Sequence, residues 1–248
     1  MEQWQPASNR LYELRMLTRR HEGVQKSKSV LINQLEALEH GRLQQRTVSK
    51  QLRSCIKLLD KQLVELKREI QQLIEKDAVL TERTQQLCSI KGVGMICAAT
   101  VIAETNGFAL FKNQSQLVSF AGYDVIENQS GRQAGKTRIS KKGNSHIRRI
   151  LHLPAFSVVK LKVVPFTDLY ERIMQHQPSK MKAYVAVQKK LLILLYTLWK
   201  KNEPYKKDKV SPTSGVQEAK FLFQVNAPNT VAPKYGATQD ELPSVQSA

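Results

Sequence analysis

Ile90-Lys91-Gly92-Val93-Gly94, running without a break into the alanine-rich apolar run from Met95 to Glu104, decides the fold. Glycine is used where φ turns positive or where backbone must approach a neighbour closely. Two glycines between apolar segments of helical spacing therefore predict helix, tight turn, helix. With Leu87, Ile90 and Ala98 the pattern is apolar-x-x-apolar-Lys-Gly-Val-Gly-x-x-x-Ala, that of a helix-hairpin-helix. In that motif the unpaired N–H groups at the start of the second helix face one phosphate of a nucleic-acid backbone. A plain glycine turn between packed helices is the alternative.

The charge supports the phosphate. The chain of 248 residues carries 39 Lys+Arg against 21 Asp+Glu, a net +18. Residues 87–205 hold 18 of those bases against 6 acids, so the positive field centres on the hairpin segment. Such an excess implies a polyanion, nucleic acid first. Aromatic content is only 6%, which suits a helical protein. Cys55, Cys88 and Cys97 have no metal-ligand spacing and read as reduced, buried thiols. The longest apolar run, residues 191–199, is too short to span a bilayer, so a cytoplasmic protein with no membrane partner is expected.

Outward from the hairpin, the fold class is mainly α. Residues 1–86 form a long helical hairpin or coiled coil, with Ser8 at its entrance, a break near Gly41 and Thr47 or Ser49 capping the second helix. Leu52, Ile56, Leu59, Leu63, Leu66, Ile70, Leu73 and Ile74 repeat close to 3.5 residues apart, a seam for self-association. A simple two-helix extension of the core is the other reading. Residues 87–205 form a compact helical domain containing a long basic loop from Tyr123 to Asn144. Asn144 or Ser145 caps the next helix, with Arg148 and Arg149 facing out; Pro154 bends or ends it, and Pro165 marks another break before a Thr167 cap. Trp199 and Tyr196 read as core. Residues 206–248 are a mostly disordered tail.

The residues assigned to nucleic acid are Lys91, Gly92, Val93 and Gly94 of the hairpin, Arg132, Lys136, Arg138, Lys141 and Lys142 of the loop, and Arg148 and Arg149. Ser130, between Gln129 and Gly131, is a candidate nucleophile because cations around it would stabilise a phosphoryl transition state. A serine before glycine is also an ordinary turn residue. His146 and Arg149, with Tyr170, Tyr184, Tyr196 or Tyr205 downstream, outline a tyrosine recombinase instead. Glu104, Asp124 and Glu127 do not make a metal set, so no metal ligand is assigned.

Taken in order, Ile90-Lys91-Gly92-Val93-Gly94, Phe120-Ala121-Gly122, Gln129-Ser130-Gly131, Ile139-Ser140-Lys141-Lys142-Gly143-Asn144, Arg148-Arg149 and Pro154-Ala155 resemble the C-terminal domain of insertion-sequence-110 family transposases, which include DNA invertases of the Piv type. The resemblance implies DNA transposition or site-specific recombination, with Ser130 in the place of a serine that bonds covalently to DNA. It implies DNA, a structured guide RNA and further copies of the chain as partners. It also implies that Mg2+ belongs to an N-terminal RuvC-like domain, absent upstream of residue 1, and not to this chain. The expectation is then of a transposase fragment inactive alone; a non-catalytic nucleic-acid-binding module is the alternative.

Overall fold

The computed structural model describes residues 8–41, 45–126, 129–130, 133–134, 138–176 and 179–206. The expected tail beyond Lys206 lies outside them. The described chain is mainly helical, as the sequence predicts.

A long hairpin opens it: α1 (Asn9–Glu39) and α2 (Arg46–Glu75). Ser8 begins α1 by accepting a hydrogen bond from Leu11 N–H, as its side chain predicts. The second helix starts earlier than the Thr47 or Ser49 cap, with Gln45 at its N-cap and no side-chain bond. Lys28–Asp60 and Arg53–Glu39 tie the two helices across their faces. In the outer half of the hairpin Leu52, Ile56, Leu59, Leu63 and Leu66 are only half-buried, and α2 is fully buried only at Ile70, Leu73 and Ile74. Two helices alone cover one stripe of each other, so the seam keeps an open side. Cys55 is exposed, contrary to the expectation of a buried thiol, whereas burial pushes the Cys97 thiol up to about 12.

The hairpin turns into the body at Asp77, whose carboxylate accepts from Val79 and Leu80 N–H and starts α3 (Ala78–Cys88). Next comes α4 (Met95–Glu104), in which every residue from Cys97 to Glu104 is buried. It is the axis of the molecule. Small side chains at Ala98, Ala99 and Ala103 let α1, α2, α3 and α6 (Ser145–Ile150) approach it. Gly107, Phe108 and the α5 helix (Gln114–Ala121) follow, with Asn113 capping α5 through Gln116 N–H.

The remaining helices close the body: α7 (His152–Lys160), α8 (Val164–His176) and α9 (Lys180–Lys201). Pro154 does not end the helix that begins at Ser145; the break falls at Leu151, and Pro154 sits in the first turn of α7, where its missing N–H leaves nothing unbonded. Pro165 likewise lies in the first turn of α8, so Thr167 is inside the helix and bonds back to Val163 O at 3.3 Å. Tyr196 is core, as predicted, with its hydroxyl donating to Phe111 O at 3.2 Å and its ring edge-on to Phe108.

The hairpin is not a detached arm. Leu14 is fully buried and belongs to the same hydrophobic core as Ile102 and Leu195. Replacing Leu14 by Ala is therefore expected to lower the unfolding free energy of the whole body by about 2–5 kcal/mol. Denaturant unfolding followed by tryptophan fluorescence measures it; an unchanged midpoint would mean that α1 is not part of the core.

A helical frame for a basic hairpin

The segment read as one loop from Tyr123 to Asn144 contains paired strands. Val125–Ile126 pairs antiparallel with Arg138–Ile139, Val125 opposite Ile139 (β1 with β4). Gln129–Ser130 pairs with Gln133–Ala134, Ser130 opposite Gln133 (β2 with β3). Only Gly131 and Arg132 separate the last pair, so Ser130 stands beside the tip of a β-hairpin. Sequence reasoning missed these strands because polar residues and glycine dominate, and only Val125-Ile126 and Ile139 carry β propensity. The side chains of Ser130, Arg132 and Lys136 lie outside the described residues; Arg138, Lys141 and Lys142 are exposed.

The root of this hairpin is a closed join to the helical body. At its entrance Tyr123 is 1% exposed and its hydroxyl donates to Gln188 Oε1 of α9 at 3.0 Å. At its exit the backbone of Lys141 N–H donates to Gly122 O, Ser140 N–H to Asp124 O and Asn144 N–H to Phe120 O, at 3.2, 2.8 and 2.7 Å. The two ends of the segment thereby close on each other. The closure is tight enough to need glycine: a Cβ on Gly143 would lie 2.2 Å from Phe120 O and 2.4 Å from Gly122 N. Phe120-Ala121-Gly122 and Lys142-Gly143-Asn144, far apart in sequence, are two sides of one backbone contact.

Arg148 locks that contact. Its Nη1 donates to the carbonyls of Ala121 at 2.7 Å and Gly143 at 3.0 Å, and its Nη2 donates to Lys141 O at 3.0 Å. Lys141 takes φ +56°, a left-handed conformation that a lysine adopts only when its surroundings hold it. The expectation that Arg148 faces out toward nucleic acid is corrected here. Its five N–H donors suit it to gather several carbonyls at once, which a lysine does less well.

Asn144 joins the root to the core. Its side-chain oxygen accepts from His146 and Ile147 N–H, starting α6, while its Nδ2 donates to Glu104 Oε2 at 2.7 Å. The Glu104 carboxylate, 1% exposed, also takes both Nε and Nη2 of Arg19 from α1, at 2.7 and 2.9 Å. Burial pushes the Glu104 carboxyl up, but the bonds from Arg19 and Asn144 outweigh it and hold it below its ordinary value of 4.5. Arg15 adds a forked bond to Ala103 O at 3.0 and 2.8 Å. Arg149, expected to face out, is exposed at its edge but pairs with Glu22 of α1, which also meets His146 Nδ1. His146 and Arg149 both meet Glu22 of α1, and of the four tyrosines in the tyrosine-recombinase outline Tyr196 is buried with its hydroxyl bonded.

The glycine turn Ile90 to Gly94 joins α3 to α4 as predicted. Val93 is 5% exposed and its side chain is core, so its assignment to nucleic acid is corrected to a packing role. Gly92, at φ +97°, lies where a Cβ would come within 2.9 Å of Ser157 Cβ on α7. Lys91 and Gly94 face solvent, and Gly94, the N-cap of α4, has nothing within 4 Å of where a Cβ would stand. The start of α4 is open to a ligand's approach. Among the described residues no three His, Cys, Asp or Glu side chains gather in a metal-ligating group, and no single helix is long and apolar enough to cross a membrane.

Residues 84–171 match the model of a family described as the IS116/IS110/IS902 family of transposases. The chain is also similar to a pilin gene-inverting protein of Moraxella bovis, at 27% identity over 146 residues, which covers 58% of this chain and 45% of that protein. A probable family 20 transposase of Pseudomonas aeruginosa is 27% identical over 149 residues, 58% of this chain and 43% of that protein. The chain thus spans less than half the length of these curated relatives. The matched stretch contains both sides of the Gly122–Gly143 contact, Asn144, Arg148 and the Ser130 hairpin.

The state of Glu104 has a measurable consequence. A carboxyl with a depressed folded pKa contributes stability that is fully present above its unfolded value, near 4.5, and lost as pH falls through the lower folded value. Glu104→Gln is expected to be less stable than the parent at neutral pH and to flatten the acid limb of stability against pH. Thermal midpoints between pH 3 and pH 7 check this; parallel profiles for the two proteins would refute it.

Proposed function

We propose that this chain belongs to the IS116/IS110/IS902 transposase family it matches over residues 84–171, and acts in DNA recombination by presenting Ser130 as a nucleophile at the tip of its basic hairpin. The observation that carries the reading is the pairing of Ser130 with Gln133 beside the hairpin tip. The root of that hairpin is clamped to the protein core by Arg148 and Asn144. A reactive group on a two-stranded ribbon with a fixed root reaches outward while its path stays defined.

In the proposed step Ser130 Oγ attacks the phosphorus of a DNA phosphodiester. The Oγ–P bond forms, the hydroxyl proton leaves, and the bond from phosphorus to one sugar oxygen breaks. That oxygen takes up a proton, and no oxidant or reductant is consumed. Arg132, Lys136 and Arg138 supply positive charge for the phosphoryl oxygens. Lys141 and Lys142, exposed at the hairpin root, and Lys91 with the open start of α4 hold the DNA backbone without reading its bases. Divalent metal, where the full reaction uses it, would sit on carboxylates of a RuvC-like domain; the described residues here offer no group of three metal-ligating side chains.

A structured guide RNA and further copies of the chain complete the proposed assembly, which works in the cytoplasm. The open seam along Leu52, Ile56, Leu59, Leu63 and Leu66 is the surface assigned to self-association. A light-scattering mass equal to one 28.2 kDa chain at micromolar concentration would remove that part of the reading.

The decisive experiment mixes the chain with a RuvC-like domain of the family, guide RNA and labelled donor DNA, then looks for a covalent protein–DNA adduct after denaturation. The expected adduct maps to Ser130, disappears in Ser130→Ala and leaves DNA binding intact. An adduct on a tyrosine, or binding with no adduct, overturns the nucleophile; the second outcome makes the chain a non-catalytic nucleic-acid-binding module.

A further inference from the structure

An open cleft of about 540 Å³ lies between α1 and the root of the hairpin, lined by Arg15, Arg19, Glu104, Ser119, Phe120, Lys142, Gly143 and Asn144. Three cations from two distant parts of the chain face it. The single acid, Glu104, is turned inward, its charge balanced by Arg19 and one oxygen also accepting from Asn144. None of these cations except Lys142 belongs to the basic loop or to the glycine turn, and charge counting along the sequence gave no reason to single out Arg15 or Arg19.

The two arginines are held in a particular way. Arg15 uses Nε and Nη2 on Ala103 O, and Arg19 uses Nε and Nη2 on the Glu104 carboxylate. Nη1 of each guanidinium has no acceptor among the described residues. Both planes are fixed before any ligand arrives, so little side-chain freedom is lost when an anion binds. The exposed Lys142 contributes a third charge to the lining, and the exposed Ser119 a hydroxyl donor. Phe120, half-buried with its ring against Phe111, adds an aromatic group to the wall.

We propose that this cleft binds the sugar–phosphate backbone of an unpaired nucleic-acid strand, with phosphate on Arg15, Arg19 and Lys142. Fixed cations beside an aromatic wall are the combination by which single strands are held. The volume falls in the about 300–1,000 Å³ range of small-ligand sites, enough for a nucleotide unit. A duplex carries its phosphates on a convex cylinder that cannot follow a cleft floor. Because Gly143 and Asn144 are both cleft lining and hairpin root, a strand bound here is led toward the Ser130 hairpin. The inference rests on the nucleic-acid reading above and adds a separate site to it.

The test measures binding of fluorescein-labelled single-stranded DNA, single-stranded RNA and a duplex of equal length by anisotropy, across a range of salt. Ser119→Glu places a negative charge in the cleft at an exposed position whose hydroxyl has no hydrogen-bond partner among the described residues; Lys142→Glu reverses a wall cation. Lys61→Glu, on the exposed side of α2, is the control. Each cleft variant is expected to weaken single-strand binding about five- to tenfold and to lower the salt slope by about 0.7 per lost phosphate contact, with thermal midpoints unchanged. The control changes single-strand affinity less than about twofold. Single-strand binding that matches the parent in both cleft variants overturns the cleft while leaving the nucleic-acid reading standing. Equal weakening of duplex binding by Ser119→Glu overturns the unpaired strand (Lys142 also belongs to the DNA-backbone contacts proposed above), and a parent protein that binds none of the three probes overturns both readings.

Discussion

A buried carboxylate organises this protein. Glu104 ends the most deeply buried helix and brings a charge into the core, which is unfavourable unless partners are supplied. Those partners come from opposite directions in sequence: Arg19 from the first helix and Asn144 from the exit of the basic hairpin. One side chain therefore fixes three things at once, the docking of α1, the end of α4 and the position of the hairpin root. Removing it would leave Arg19 and Asn144 facing each other across the place it occupied.

From that point outward the construction is backbone on backbone. Gly143 lies against Phe120 O and Gly122 N more closely than any side chain permits, and Arg148 covers the join with bonds to four separate carbonyls. This gives a physical reason for the ordered marks Phe120-Ala121-Gly122, Lys142-Gly143-Asn144 and Arg148 to occur together. They hold the hairpin in place; they are not themselves placed to react.

The helical architecture was largely legible in the sequence, because apolar spacing, the Ser8 and Asn144 caps and the glycine turn are local signals. Helix breaks were less so: Pro154 and Pro165 mark first turns and not ends, a distinction that depends on where the preceding helix stops. Arg149 is exposed as its position suggests, whereas Arg148 turns onto backbone carbonyls, because a charged residue at a helix end looks solvent-facing until its tertiary partners are known. Glu104 gave no sign of its importance, since its partners lie 85 and 40 residues away. The strands are hidden by polar, glycine-rich composition, and the same composition leaves Ser130 legible either as a turn residue or as a nucleophile among cations.

Hydrogen exchange at the hairpin root tests the central claim most directly. Amides of Ser140, Lys141 and Asn144 donate to backbone carbonyls across the join and are expected to exchange slowly in the parent protein. In Arg148→Ala the same amides are expected to exchange much faster while the amides of α4 keep their protection. Fast exchange at these positions in the parent, or unchanged protection in the variant, would contradict a hairpin clamped to the core through its root.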